Sequence, residues 1–281
     1  MMNALRNVLD ARRQHWQHGP IDLVIEAWGD AVATARAYEA AWARFEQLLP
    51  ELVSELALLR APVGDAPCVN RPVAQRMLHA CRPHATQFIT PMAAVAGAVA
   101  DEICAFFNAE SGVRKAYVNN GGDIALHLRD GESIAVGVID HPQQPRQAGR
   151  VTVNSSMPVR GIATSGWRGR SFSLGIADSV TVLAANAAAA DAAATMIANA
   201  VNVDHPSIVR APANTLKDDT DLGARLATVN VPPLPRIVVA QALGAGLAEA
   251  RSCAARGLID SALLLLQGEF VETGAALKLA A

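Results

Sequence analysis

Tyr117-Val-Asn-Asn-Gly-Gly-Asp-Ile-Ala-Leu-His-Leu128 is the stretch on which the fold turns. Residues of strand character flank Asn119-Asn120-Gly121-Gly122-Asp123, so Lys115 to Leu126 reads as a strand broken near its centre. Two explanations compete for the break. Asn-Gly is the strongest short turn signal, which makes the segment a β-turn. Paired glycines also permit positive φ and let backbone amides approach a ligand. Asn120, Gly121 and Gly122 then line a binding loop, with Asp123 placed as an acid, base or hydrogen-bond acceptor. The flanking runs make a poorly matched hairpin, which favours the ligand loop.

Three further stretches share this mix of small residues and oxygen-bearing side chains. Gly161-Ile-Ala-Thr-Ser-Gly166 continues into Trp167-Arg168-Gly169-Arg170. Thr164 and Ser165 offer hydroxyls as donor or nucleophile, Gly166 a free backbone, and Arg168 and Arg170 guanidinium groups for a phosphate or carboxylate. Asn186 to Val201 is an alanine-rich helix on which Asp191, Thr195, Asn199 and Asn202 fall along one face. A carboxylate and a hydroxyl one turn apart are hard donors suited to Mg²⁺ or Ca²⁺. The bland alternative, equally weighted, has Asp191 capping a neighbouring loop and the asparagines facing solvent. Pro91-Met-Ala-Ala-Val-Ala-Gly-Ala98 begins a small-residue helix whose start offers amides to an anion or a carbonyl to a metal. Tight packing against a sheet explains the same composition.

Elsewhere, 21–28 reads as a strand, and Asp30 caps a helix running to about Leu49. Pro50 opens another helical stretch, 61–72 is a loop, and 76–82 a short helix. Strands are expected at 133–139, 150–154, 158–163 and within 171–184, with a polar loop at 140–150. Five prolines in 204–235 indicate an irregular excursion, a lid or an oligomer contact. Arg236–Val239 reads as a strand, 247–256 as a helix and 262–267 as a strand. The sum is one α/β or α+β domain over 1–281, a mixed sheet flanked by helices.

Composition narrows the partners. With 281 residues, 51% of them hydrophobic, the chain can bury a substantial core. A net charge of -2 with scattered arginines carries no footprint for nucleic acid or an acidic membrane. The first twenty residues lack the apolar run of about 7 to 15 residues of a secretory signal. No later segment reaches about 18 apolar residues without charge. A cytoplasmic location is expected. The four cysteines form no C-x-x-C pair and read as reduced, mostly buried thiols. His79, Cys81 and His84 crowd together but fit no standard zinc spacing.

In order, TPMAAVAGAVADEI, VNNGGDI, GIATSG with the following RSFSLGIADSVTVLA, and ADAAATMIANAV resemble the UPF0280 group, a branch of the ApbE-like superfamily. The likeness covers roughly residues 70 to 202. It implies an α/β sandwich related to the T-fold and the activity of FAD:protein FMN transferases, which use Mg²⁺ to cleave FAD and attach FMN to a threonine. Position by position, the family's D-x-x-x-T metal ligands fall on Asp191 and Thr195. The backbone carbonyl completing the metal site falls near Ala93 or Ala94. G-G-D falls on Gly121, Gly122 and Asp123, and T-S-G on Thr164, Ser165 and Gly166. Ala96-Gly97 replaces the transferases' Lys-Gly, and Arg170 to Asp178 replaces their H-I-x-D-P-x-T-G. With aromatics at 4%, these departures count against FAD as the bound cofactor and leave the Mg²⁺ corner intact.

Three functions compete. One is Mg²⁺-dependent FMN transfer from FAD or related nucleotide handling. The second is a flavin-independent hydrolytic or addition-elimination enzyme acting on a small anionic or heterocyclic metabolite, with Asp123, Ser165 and Thr164 as the reacting groups. The third is a non-catalytic small-molecule module. All three accommodate a homodimer.

Overall fold

The computed structural model describes residues 3–65, 67–139, 147–274 and 277–279. In chain order the strands are β1 (Leu5–Val8), β2 (Arg13–His18), β3 (Ile21–Gly29), β4 (Val113–Asn120), β5 (Asp123–Leu128), β6 (Ser133–Ile139), β7 (Gln147–Asn154), β8 (Gly161–Ser165), β9 (Ser179–Ala184), β10 (Val209–Pro212), β11 (Leu226–Asn230), β12 (Ser261–Leu266), β13 (Glu269–Thr273) and β14 (Leu277–Leu279). The helices are α1 (Ala31–Ser54), α2 (Leu56–Leu59), α3 (Pro72–Cys81), α4 (Val95–Ala109), α5 (Ala187–Ala200), α6 (Ala213–Leu216) and α7 (Arg236–Ala255). The chain forms two compact units: 1–134 with 153–163 and 184–191, and 135–152 with 164–183 and 192–281.

In the first unit β1-β2-β3-β4-β5-β8 lie side by side, every described pair antiparallel. Strand β3 alternates strictly, burying Ile21, Leu23, Ile25 and Ala27. Helix α4 packs on β4 and β5, and α1 and α3 pack on α4. Asp30 caps α1, its Oδ1 accepting from the amides of Val32 (3.1 Å) and Ala33 (2.9 Å). The stretch 91–109 is long and apolar enough to span a membrane by composition. Here it is a core helix whose two charges are engaged: Asp101 bonds backbone amides, and Glu102 pairs with Arg44 and Arg76.

In the second unit β9-β12-β13 pair antiparallel with α7 packed on β12 and β13, β10 pairs with β11, and β14-β7-β6 form a small sheet.

The α/β class with helices flanking a sheet holds, and the described ladders are antiparallel where a mixed sheet was expected. Several boundaries differ from the sequence reading for identifiable reasons. Pro50 lies inside α1 rather than starting a helix; its position is exposed, so the carbonyl it leaves unpaired meets water. Residues 236–239 are the first turn of α7, not a strand. Three β-branched residues suggested a strand, but Pro235 immediately precedes the helix, and Gly244 and Gly246 sit within it without ending it. The excursion at 204–235 contains a hairpin-like pair, β10–β11, and the short helix α6. Strands β1, β2 and β13 lie in segments not read as strands. The stretch 171–184 is a strand only from Ser179. Helix α3 starts at Pro72, four residues before the expected Arg76. Of the expected 140–150 loop, residues 140–146 lie outside those described. Three of the four cysteines are buried; Cys68 is exposed.

Candidate functional site

The break in Tyr117–Leu128 is a matched hairpin, contrary to the sequence reading. Strands β4 and β5 pair from Lys115↔Leu128 to Asn120↔Asp123, leaving Gly121-Gly122 as a two-residue turn. Both turn residues have positive φ, +66° and +117°, the geometry a tight right-twisted hairpin demands and glycine adopts without penalty. The Gly122 amide is not presented to a ligand: it donates to Asn119 Oδ1 at 2.8 Å. The turn nevertheless has a chemical consequence. Cross-strand partners project to the same face, so it sets Asn120 and Asp123 side by side.

Asn120 is buried and donates from Nδ2 to the Ala96 carbonyl at 3.1 Å. Ala96 and Gly97 form the first turn of α4, where helical amides have no intrahelical partner. Asp191, from α5, fills that need. Its Oδ2 accepts from the Gly97 amide at 3.0 Å, and the Ala96 amide bonds the same carboxylate. The sequence reading offered these amides to an anionic ligand; the structure gives them to Asp191. Burial, then the negative charge of Asp123, pushes the Asp191 carboxyl well above the usual carboxylate range, against the pull of the two amides.

The relation is reciprocal. Asp101, on α4, accepts from the amides of Ala187 (Oδ1) and Ala188 (Oδ2), each at 2.9 Å, at the start of α5. Asn186 Oδ1 takes the Ala189 amide at 2.8 Å, and the Asn186 carbonyl takes that of Ala190. The amides of Ala187, Ala188 and Ala189 are thus met by side chains, and that of Ala190 makes the first intrahelical bond. Gly97 lets the two helix starts meet: a β-carbon there would lie 2.2 Å from the Ala187 carbonyl oxygen. Asp101 went unmarked in the sequence reading. The residues carry only a partial signal, an acid inside an apolar helix; nothing in the sequence points it at the start of α5.

Ala93 lies in the 3₁₀ turn Pro91–Ala94 directly before α4. Thr195 follows Asp191 by one turn of α5, is partly exposed and is counted with the second unit. The polar stripe divides beyond it. Asn199 Oδ1 accepts from the Leu174 amide at 2.9 Å, and Asn202 donates to the Leu174 carbonyl and accepts from Arg210. These half-buried asparagines fasten a loop.

The remaining candidates gather in the second unit. Thr164 is exposed, its hydroxyl 3.0 Å from that of buried Thr181, and Ser165 is half-buried. Gly166 packs under Asp178, whose carbonyl oxygen would meet a β-carbon at 2.5 Å. Arg168 is committed internally: its Nε donates to Asp178 Oδ1 at 2.7 Å and its guanidinium lies 4.4 Å from the Trp167 ring centroid. Asp178 also accepts from Trp167 Nε1 and from the Gln267 amide. Arg170 is exposed.

An antiparallel α/β protein whose hairpin turn and two facing helix starts collect carboxylates is the class this architecture defines. A family model described as AbpE bacteria matches residues 6–272, and the chain belongs to that family. The resemblance to UPF0280 proteins extends over about half of the sequence. A UPF0280 protein of Methanopyrus kandleri is 37% identical over 150 residues, 52% of this chain and 56% of the relative. One from Methanoculleus marisnigri is 39% identical over 122 residues, 43% of this chain and 49% of the relative. The chain thus spans about half the length of the curated relatives it matches. Among solved structures, a mutant flavin transferase ApbE from Vibrio cholerae is 12% identical with a TM-score of 0.48, covering 98% of both chains. An ApbE protein from Thermotoga maritima is 13% identical with a TM-score of 0.43, covering 96% of both.

Proposed function

We propose that the protein is a Mg²⁺-dependent enzyme of the ApbE type that handles a flavin nucleotide, transferring FMN from FAD. The observation carrying this reading is the convergence of Asp191 and Asp123 at the head of α4. Two carboxylates share one partly enclosed corner, and a divalent cation relieves their repulsion. The donor set fits such an ion. A carboxylate has about four acceptor positions, and two amides use two of those on Asp191, leaving others for a cation. The Ala93 carbonyl, in the turn directly before α4, is a further proposed ligand. When bound, the ion supplies neutralisation of a pyrophosphate as its bond is cleaved.

Asp123 takes the acid-base role beside it, and Asn120 and the Gly121-Gly122 turn hold its position. The small residues at 96 and 97, where a lysine-glycine pair stands in the transferases, leave charge compensation to the metal. Arg168 is neutralised by Asp178.

Fluorescence titration with FAD tests the reading. Mg²⁺ should strengthen FAD binding, and Asp191→Asn should remove that effect. Transfer should release one AMP for each FMN joined to an acceptor. If FAD fails to bind with Mg²⁺ present, flavin transfer is refuted and a flavin-independent reaction at the same carboxylates takes its place.

A further inference from the structure

We propose that Asp101 is a positioning residue for the metal corner, acting through the start of α5; the inference rests on the reading of Asp191 as a metal ligand. Both oxygens of Asp101 are used, one on each of the amides of Ala187 and Ala188 at 2.9 Å. Asp191 lies one turn beyond, returning the same service to α4 through the Gly97 amide. Two carboxylates pointing in opposite directions along two abutting helix starts fix both the rotation and the advance of α5 against α4.

Moving Ala187 moves Asp191 with it, because the helix between them is rigid at this length. The Gly97 backbone gives no room for another seating: the Ala187 carbonyl carbon is already within 2.5 Å of where a β-carbon would stand. Asp101 therefore sets the direction from which the Asp191 carboxylate meets a cation, without touching the cation. Outer-shell groups of this kind are worth about 10- to 100-fold in metal affinity.

The test uses the full-length protein and Mn²⁺ alone as probe, with binding read by electron paramagnetic resonance. Asp101→Asn keeps the side chain's size but presents a donor to one of the two amides, and should weaken Mn²⁺ binding by about tenfold or more. Amide exchange at Ala187 and Ala188 should accelerate in the same variant. Asp30→Ala is the matched control. Asp30 Oδ1 accepts two amides at the start of α1, so removing it costs helix-start stability of the same order, yet Mn²⁺ affinity should stay at the wild-type value.

Mn²⁺ binding that is equal in wild type and Asp101→Asn overturns the inference alone. Equal weakening in Asp101→Asn and Asp30→Ala overturns it too, as general loosening. A wild type that binds no Mn²⁺ removes the metal reading and the inference with it. If Asp101→Asn does not accumulate as folded protein, Asp101→Glu, which keeps both acceptor oxygens but displaces them from the Ala187 and Ala188 amides by one methylene, gives the same comparison.

Discussion

Gly97→Ala is the sharpest perturbation this architecture offers. In most helix interiors the change is favourable by about 1 kcal/mol. Here the new β-carbon would stand 2.2 Å from the Ala187 carbonyl oxygen and 2.8 Å from the Ala188 nitrogen. Both are backbone atoms, so no side chain can swing aside. Reaching ordinary contact at about 3.4 Å requires the helix starts to part by roughly 1 Å. That displacement stretches the Asp191–Gly97 bond from 3.0 Å and the two Asp101 bonds from 2.9 Å beyond hydrogen-bonding range. Overpacking costs about 1–3 kcal/mol, and the weakened caps add about 1 kcal/mol each. After subtracting the propensity gain, a net loss of about 3 kcal/mol remains. For a chain of this size the melting temperature should fall by roughly 5 °C. Thermal unfolding followed by circular dichroism reads the shift directly. A melting temperature equal to or above wild type would show that the helix starts are not in contact and would refute the reciprocal capping.

Gly244→Ala is the opposite case: α7 leaves open space around this glycine, so stability should rise by about 0.5–1 kcal/mol in urea titration. Asp178→Ala strips acceptors from Arg168, Trp167 and the Gln267 amide, and the urea midpoint should drop by an amount equivalent to about 2–3 kcal/mol. An unchanged midpoint would mean the three donors find other partners. His127 supplies a pH dependence. Burial, reinforced by Arg129 and Arg160, holds its imidazole below the ordinary 6.5, against the Val113 carbonyl 3.1 Å away. The unfolded chain binds that proton more tightly. The stability contribution is therefore present above pH 6.5 and lost as pH falls through 6.5 toward the folded value. His127→Gln should flatten the decline in unfolding free energy between about pH 7 and 5; an identical decline would assign it to other groups.

Much of this was legible in the residues. Alternation marked β3, alanine content marked α5, and Asp30 announced the start of α1, because local propensity and burial agree at those places. Reading failed where they conflict. Ile237-Val238-Val239 favour a strand locally, yet the helix that buries Val239 and Leu243 prevails. The Asn-Gly-Gly segment was set against the turn explanation because its flanks look unequal. Strand β5, however, is buried on both faces and has no need to alternate. The turn and the chemical role were framed as alternatives, whereas the hairpin is what brings Asp123 to Asp191. Least legible was the exchange between Asp101 and Asp191, because no periodicity links two residues ninety positions apart.

That exchange also determines how the protein can change. Positions 97, 101, 187 and 191 behave as one heritable word: altering a single letter strands an amide or forces a collision, while a coordinated change of several letters is permitted. A designer borrowing this scaffold would do best to transplant the four together. Random mutagenesis should find single substitutions in this corner destabilising, with tolerated changes confined to compensating sets.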